Sequence, residues 1–203
     1  MSGAGQSAAL LALDAGVRET GWAIFRPGFP PATGLVGVAS RRRLGARVRV
    51  SQLIAGLDRL VEEWCPGGVA HCQPSGIHWP VPALELLEAA LDNWSKRHRL
   101  CLYSYTAQEV RSAIAGHPNI SRDQLAYEVM VRLGLIGESK TTHEWEALAV
   151  GHYHLTRQPA TPGLAPDAAP GGRAGCRKPC TTHDRTLDKG TQPHDNEVGA
   201  KNE

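Results

Sequence analysis

Apolar and polar positions alternate with two different periods along roughly the first 156 residues. Positions 8–13 (AALLAL) form a short continuous apolar run that ends at Asp14 and a turn at Ala15-Gly16. A run of this length bounded by a turn predicts a strand buried on both faces. Positions 21–25 (GWAIF) follow after a few residues and predict its hairpin partner. Positions 34–40 (GLVGVAS) predict a third strand, so the chain opens as an antiparallel meander. The period then changes. Over 50–64, Leu53, Ile54, Leu57, Leu60, Val61 and Trp64 recur at three-and-four spacing, which predicts an amphipathic helix that Pro66-Gly67-Gly68 stops. A short strand is expected over 69–72. A second helix is expected over 82–98, with Leu84, Leu87, Leu91 and Trp94 along one stripe, and another strand over 100–105. Thr106 with Glu109 three residues on is a capping-box pattern and starts a helix over 106–115. Ser121 caps a helix to 133, and 142–154 is the last.

Three strands, a helix, a strand, a helix, a strand and three helices make a mixed α/β chain whose helices can cover both faces of one sheet. The patterning stops near 156. Residues 158–203 hold six Pro, six Gly and almost no large apolar side chains. Such a segment cannot bury enough apolar surface to offset its ordering entropy. The expected organisation is a folded domain over 1–156 and a disordered Pro/Gly-rich tail over 157–203. Six basic and six acidic residues cancel in the tail, so the net charge of +2 belongs to the folded part. That balance excludes a strong global field, and any case for nucleic-acid binding has to be local. No apolar run reaches the length of about 18 residues that a membrane span needs, and no basic start with a small-residue cleavage site suggests secretion. Five cysteines at irregular spacing fit reduced thiols and a cytoplasmic location. Cys176, Cys180 and His183 in the tail are zinc-type donors without an obvious fourth ligand, and read as two thiols in a loose segment.

Three features could carry chemistry. Asp14 closes a buried strand, where a carboxylate is costly unless paired; alternatively it caps the turn that follows. His143 and Glu146 stand three apart on one helix face, an arrangement that suits a divalent cation or a general base. Acids in a first helical turn are also favoured by the helix dipole alone. Arg41, Arg42, Arg43, Arg47 and Arg49 fall within nine residues, and arginine meets phosphate bidentately; a solvated loop and helix start would look the same. Arg111, Arg122 and Lys140 each stand near a predicted helix start.

Taken in order, these stretches resemble the RuvC family of Holliday-junction resolvases. Leu11-Ala12-Leu13-Asp14-Ala15-Gly16 and Thr20-Gly21-Trp22-Ala23 look like the family's opening strand, catalytic Asp and second strand. Val69-Ala70-His71-Cys72-Gln73-Pro74 resembles the strand that normally ends in Glu-Gln. Tyr105-Thr106-Ala107-Gln108-Glu109-Val110-Arg111 and Ser121-Arg122-Asp123-Gln124-Leu125 are similar to the paired helices that meet DNA. His143-Glu144-Trp145-Glu146-Ala147-Leu148-Ala149 is similar to the closing acidic helix. The specific signal is the order and spacing of these motifs over about 8–155.

The resemblance implies a ribonuclease-H-like mixed five-stranded sheet flanked by helices on both faces. It implies an endodeoxyribonuclease of branched DNA such as four-way junctions, using Mg²⁺, or Mn²⁺, to activate water and stabilise the leaving oxygen. By position, Asp14, His143 and Glu146 would be metal ligands and catalytic residues. Cys72 falls at the fourth catalytic position, where the family has Glu, and a thiol is a poor ligand for Mg²⁺. Glu144, about 100° around the helix from His143, does not face the same way. Arg111, Arg122 and Lys140 would meet DNA, together with Ser75, which falls where the family often carries a stacking aromatic, and the nearby Trp79. A homodimer is expected, because a junction has near two-fold symmetry, with the 82–98 stripe as its interface. Two alternatives stay open: a RuvC-like protein that binds junctions or a protein partner without cutting, and an unrelated α/β domain whose acids are caps.

Overall fold

The computed structural model describes residues 9–38, 44–73 and 81–157. Ser75, Trp79, Arg41, Arg42, Arg43 and the tail with Cys176, Cys180 and His183 lie outside the described residues. The element order is β1 (Leu10–Ala15), β2 (Glu19–Phe25), β3 (Ala32–Gly37), α1 (Ala46–Trp64), β4 (Gly68–Gln73), α2 (Pro82–His98), β5 (Cys101–Thr106), α3 (Ala107–Ala115), α4 (Arg122–Leu133) and α5 (Thr142–Arg157). The sheet runs β3-β2-β1-β4-β5. β1–β2 and β2–β3 are antiparallel, while β1–β4 and β4–β5 are parallel. This is the mixed five-stranded sheet that the resemblance implies, opening with the antiparallel meander that the pattern predicts.

β1 is central and covered on both sides, which is why its sequence is continuously apolar. Successive side chains point to opposite faces. Leu10 and Ala12 join the core beneath α3, α4 and α5, and Leu11, Leu13 and Ala15 join the core beneath α1 and α2. α5 lies very close to the sheet. A Cβ on Gly151 would stand 2.1 Å from the Phe25 ring and 2.9 Å from the Ala12 Cβ. At the other end of the same helix, a Cβ on Gly21 would stand 2.1 Å from the His143 carbonyl oxygen. Two glycines therefore set how deeply α5 sits, and with it the height of its first turn.

Three expectations shift. β3 starts two residues earlier than the pattern suggests, because the register Ile24↔Ala32 and Ala23↔Thr33 carries pairing back to the Pro30-Pro31 boundary, where backbone donors run out. α1 starts at Ala46, a turn early, from a Gly45 N-cap that makes no side-chain cap bond, so no local signal marks it. The α2 stripe is not a surplus. Leu87, Leu91 and Trp94 are fully buried in their own chain, packed with Leu53, Leu57 and Leu60 of α1, so this stripe gives no reason to expect a second copy. No helix among the described residues is long and apolar enough to cross a membrane. Cys72 and Cys101 are free thiols.

Candidate active site

Asp14 and Cys72 are direct partners across the parallel β1–β4 pair, at the carboxyl ends of both strands. They share the sheet face that α5 covers, since each stands two residues beyond an alanine of that core, Ala12 and Ala70. The first turn of α5 then brings His143 and Glu146 over them. Asp14, Cys72, His143 and Glu146 line one cleft of about 360 Å³, together with Arg111, Arg122, Gln73, Ala15, Leu84 and Ala107.

The polar contacts inside the cleft are specific. His143 Nδ1 stands 2.5 Å from Asp14 Oδ2, and His143 Nε2 stands 3.4 Å from Glu19 Oε1. The hydrogen bond to Asp14 holds the imidazole pKa above its ordinary value against the opposing effect of burial, with the Asp14, Glu19 and Glu146 charges adding to it. Arg111 and Arg122 both reach Glu146 Oε1, at 3.3 and 3.2 Å. Burial, then the nearby Asp14 charge, nevertheless raise the Glu146 carboxyl above the usual range, and the two guanidinium groups pull the other way. Burial, reinforced by the charges of Asp14 and Glu146, pushes the Cys72 thiol up to about 12. It is a neutral S–H at physiological pH.

The helices that deliver these groups begin at the cleft. Ala107 and Arg122 are the first residues of α3 and α4, and His143 is the second of α5. Thr106 with Glu109 forms the expected reciprocal capping box, and the expected Ser121 cap is extended to a box by Gln124. A third box caps α5. Glu144 accepts from the Thr141 backbone N–H and hydroxyl, and its own N–H donates to Thr141 Oγ1. Thr33 donates to the same carboxylate at 2.9 Å. Glu144 is thus a cap and not a substitute ligand.

No family profile matches the chain. A crossover junction endodeoxyribonuclease RuvC from Nitrosomonas eutropha is 27% identical over 153 residues, 74% of this chain and 85% of that protein. The RuvC of Wolinella succinogenes is 26% identical over 152 residues, 73% of this chain and 94% of that protein. Among solved structures, Thermus thermophilus RuvC superposes with a TM-score of 0.59 at 18% identity, covering 72% of this chain and 93% of that one. The same protein in complex with a Holliday junction substrate gives 0.61 at 19% identity, covering 73% and 93%. The chain is RuvC-like in sequence and in fold.

Within this RuvC-like domain, Asp14, Cys72, His143, Glu146, Arg111 and Arg122 are brought together. Lys140 is not. Its side chain is mostly buried away from the cleft, with Nζ 2.6 Å from Glu138 and donating to Thr33 Oγ1 at 3.1 Å. Glu19 is the polar residue that the sequence pattern does not single out. It opens β2, and its nearness to His143 arises only when the β1–β2 turn folds back against α5.

Proposed function

We propose that this chain is a metal-dependent endodeoxyribonuclease that hydrolyses phosphodiester bonds in branched DNA such as four-way junctions. The observation that carries the reading is the convergence of Asp14, His143 and Glu146 on one cleft that Arg111 and Arg122 flank. Its support from outside is the likeness to two RuvC crossover junction endodeoxyribonucleases and to the fold of a RuvC bound to a Holliday junction.

The donor set fits a divalent cation in its chemistry. Two carboxylates lie close enough for Asp14 to raise the Glu146 pKa, a repulsion that a cation between them relieves. The geometry is not closed around an ion. Among the described residues no three His, Cys, Asp or Glu side chains are grouped to hold one, and Glu146 is engaged by its two arginines. Asp14, His143 and Glu146 would be the holding residues. A bound Mg²⁺ or Mn²⁺ would polarise the scissile phosphate and make water a nucleophile near neutral pH. Arg111 and Arg122 bind the phosphate oxygens, for which guanidinium is well shaped. The Asp14 hydrogen bond raises the His143 pKa, so a proton and a cation would compete for this imidazole. Cys72 contributes neither charge nor oxygen, so the site offers two carboxylates and an imidazole, with no third carboxylate to bridge a pair of ions.

That last feature also favours a second reading, in which the domain binds junctions without cutting them. Incubating a synthetic four-way junction with the protein and Mg²⁺ or Mn²⁺ separates the two. The nuclease reading expects cleavage, greater with Mn²⁺, abolished by Asp14→Asn and increased by Cys72→Glu. If the parent and Cys72→Glu both bind the junction and neither cuts with either metal, the binding-only reading replaces it. A cytoplasmic homodimer completes the proposal, since two equivalent strands call for two equivalent sites. Sedimentation of a monomer at tens of micromolar, with and without junction DNA, would overturn the dimer.

A further inference from the structure

We propose that Glu19 is a positioning residue that aims His143 Nδ1 at the cation site. The inference rests on the reading that Asp14, His143 and Glu146 hold a divalent cation. His143 is held from several sides. Its backbone is pressed against β2 at Gly21, where no side chain fits, since a Cβ there would stand 2.1 Å from the His143 carbonyl oxygen and 2.3 Å from its carbonyl carbon. Its Nδ1 edge faces Asp14 at 2.5 Å. Its Nε2 edge faces Glu19 at 3.4 Å. The turn between β1 and β2 brings Glu19 to this edge. A Cβ on Gly16 would lie 2.5 Å from the Glu19 carbonyl oxygen, so the turn itself is tight, while His143 Cε1 at 3.8 Å is at ordinary contact distance and leaves the ring room to turn.

An imidazole that binds a cation gives up the lone pair of one nitrogen and keeps a proton on the other. Nδ1 is the nitrogen beside the partly buried carboxylate of Asp14, and Nε2 is the one that points out toward Glu19, whose side chain is half-exposed. The cation therefore takes Nδ1 and Glu19 accepts the Nε2 proton. A carboxylate in that place fixes ring orientation and raises the basicity of the ligating nitrogen. Without it, the ring is free to turn and offer either nitrogen to the cleft. A pair this exposed does little for stability, so removing it tests position and not folding.

The experiment uses the full chain without DNA, titrated with Mn²⁺ and followed by electron paramagnetic resonance. Echo modulation reads imidazole nitrogen bound to the ion, and thermal unfolding is recorded in parallel. Glu19→Ala is expected to weaken Mn²⁺ binding by about 10-fold or more and to lose or alter the nitrogen modulation, with the melting midpoint unchanged. Glu19→Gln keeps an acceptor for Nε2–H, so it retains the nitrogen signal and binds between the parent and Glu19→Ala. Asp14→Asn distinguishes the two levels. If Asp14→Asn leaves Mn²⁺ binding untouched, or the parent binds none, the cation-site reading fails and takes this inference with it. If Asp14→Asn abolishes binding while Glu19→Ala binds like the parent with the same nitrogen signal, the cation site stands and Glu19 has no part in it.

Discussion

His71 and Cys72 are neighbours on β4 and face opposite sides of the sheet. His71 points into the α1–α2 layer, where it is fully buried, with Nε2 2.7 Å from Ser104 Oγ and 3.9 Å from the Glu88 carboxylate. Burial lowers its pKa to about 4, so it is a neutral filler of the core. Cys72 points into the α3–α5 layer and stands at the cleft among Asp14, Glu146 and Arg111. One step along a strand thus separates a silent group from one in the candidate site. The difference comes from what covers each face. The α1–α2 layer is closed by large apolar side chains, with Asp58 gathering Trp94, Arg97 and His98 at its rim. The α3–α5 layer ends in three helix starts at the strand ends, and capping boxes satisfy their first backbone donors and leave their positive dipole ends toward the cleft.

The comparison breaks most severely if the α1–α2 layer is hollowed. Trp94 is fully buried and donates to Asp58 at 3.0 Å. Trp94→Ala should cost about 3–5 kcal/mol, read from urea unfolding. A loss below about 1 kcal/mol would mean that this layer is not close-packed.

The next largest effect is on pH. The folded pKa of His71 lies below its ordinary value of 6.5, at about 4. The folded state refuses a proton that the unfolded chain accepts, so this contribution is present above pH 6.5 and is lost as pH falls toward 4. At about 1.4 kcal/mol per pKa unit, roughly 3 kcal/mol is at stake. His71→Gln should flatten stability over that window, and an unchanged slope would refute the burial argument. His143 has the opposite sign. Its folded pKa is raised by Asp14, so in metal-free protein its contribution is complete below the unfolded value and is lost as pH rises through the folded one. The two faces therefore tilt the same stability curve in opposite directions.

What can be read from the chain follows the same division. The β1 run, the α2 stripe, the box at Thr106 and the cap at Ser121 are local patterns, and they survive intact in the structure. The grouping of Asp14, His143 and Glu146 is legible only through the order of motifs that RuvC-like chains share, because no local rule brings residue 14 to residue 143. Glu19 and Lys140 escape a reading of the sequence for the reverse reason. Each is decided by a long-range partner, His143 for Glu19 and Thr33 of β3 for Lys140, whereas Glu144 is placed by its local box with Thr141. The α2 stripe is legible as apolar but not as satisfied, since its partner α1 is also a helix of the same chain.

A smaller effect concerns the rim of the cleft. Arg111 and Arg122 share Glu146. Removing one arginine–phosphate pair should lower the salt slope of junction binding by about 1, so Arg111→Ala with Arg122→Ala should lower it by about 2. The double variant also frees Glu146, so its Mn²⁺ affinity without DNA should rise. Filter binding at several salt concentrations checks the first, and a Mn²⁺ titration the second. Junction binding as tight as the parent's at every salt would remove this face from the DNA interface.

The smallest change sharpens the comparison at its junction. Thr141 caps α5, and its box with Glu144 is tied to β3 through Thr33 and Lys140. Thr141→Ala removes the hydroxyl that accepts from the Glu144 backbone N–H, and caps of this kind are worth about 1 kcal/mol. A similar loss is expected from Ser121→Ala at the start of α4, whose hydroxyl accepts from Gln124 N–H. The two should differ in what else they disturb. Thr141 stands two residues before His143, so fraying there moves a cleft side chain, and Mn²⁺ binding should weaken along with stability. Ser121 precedes Arg122, more than half exposed and reaching Glu146 from the rim, so its loss should lower stability and leave Mn²⁺ binding close to the parent's. If both substitutions change metal affinity equally, the first turn of α5 does not set His143 any more closely than α4 does.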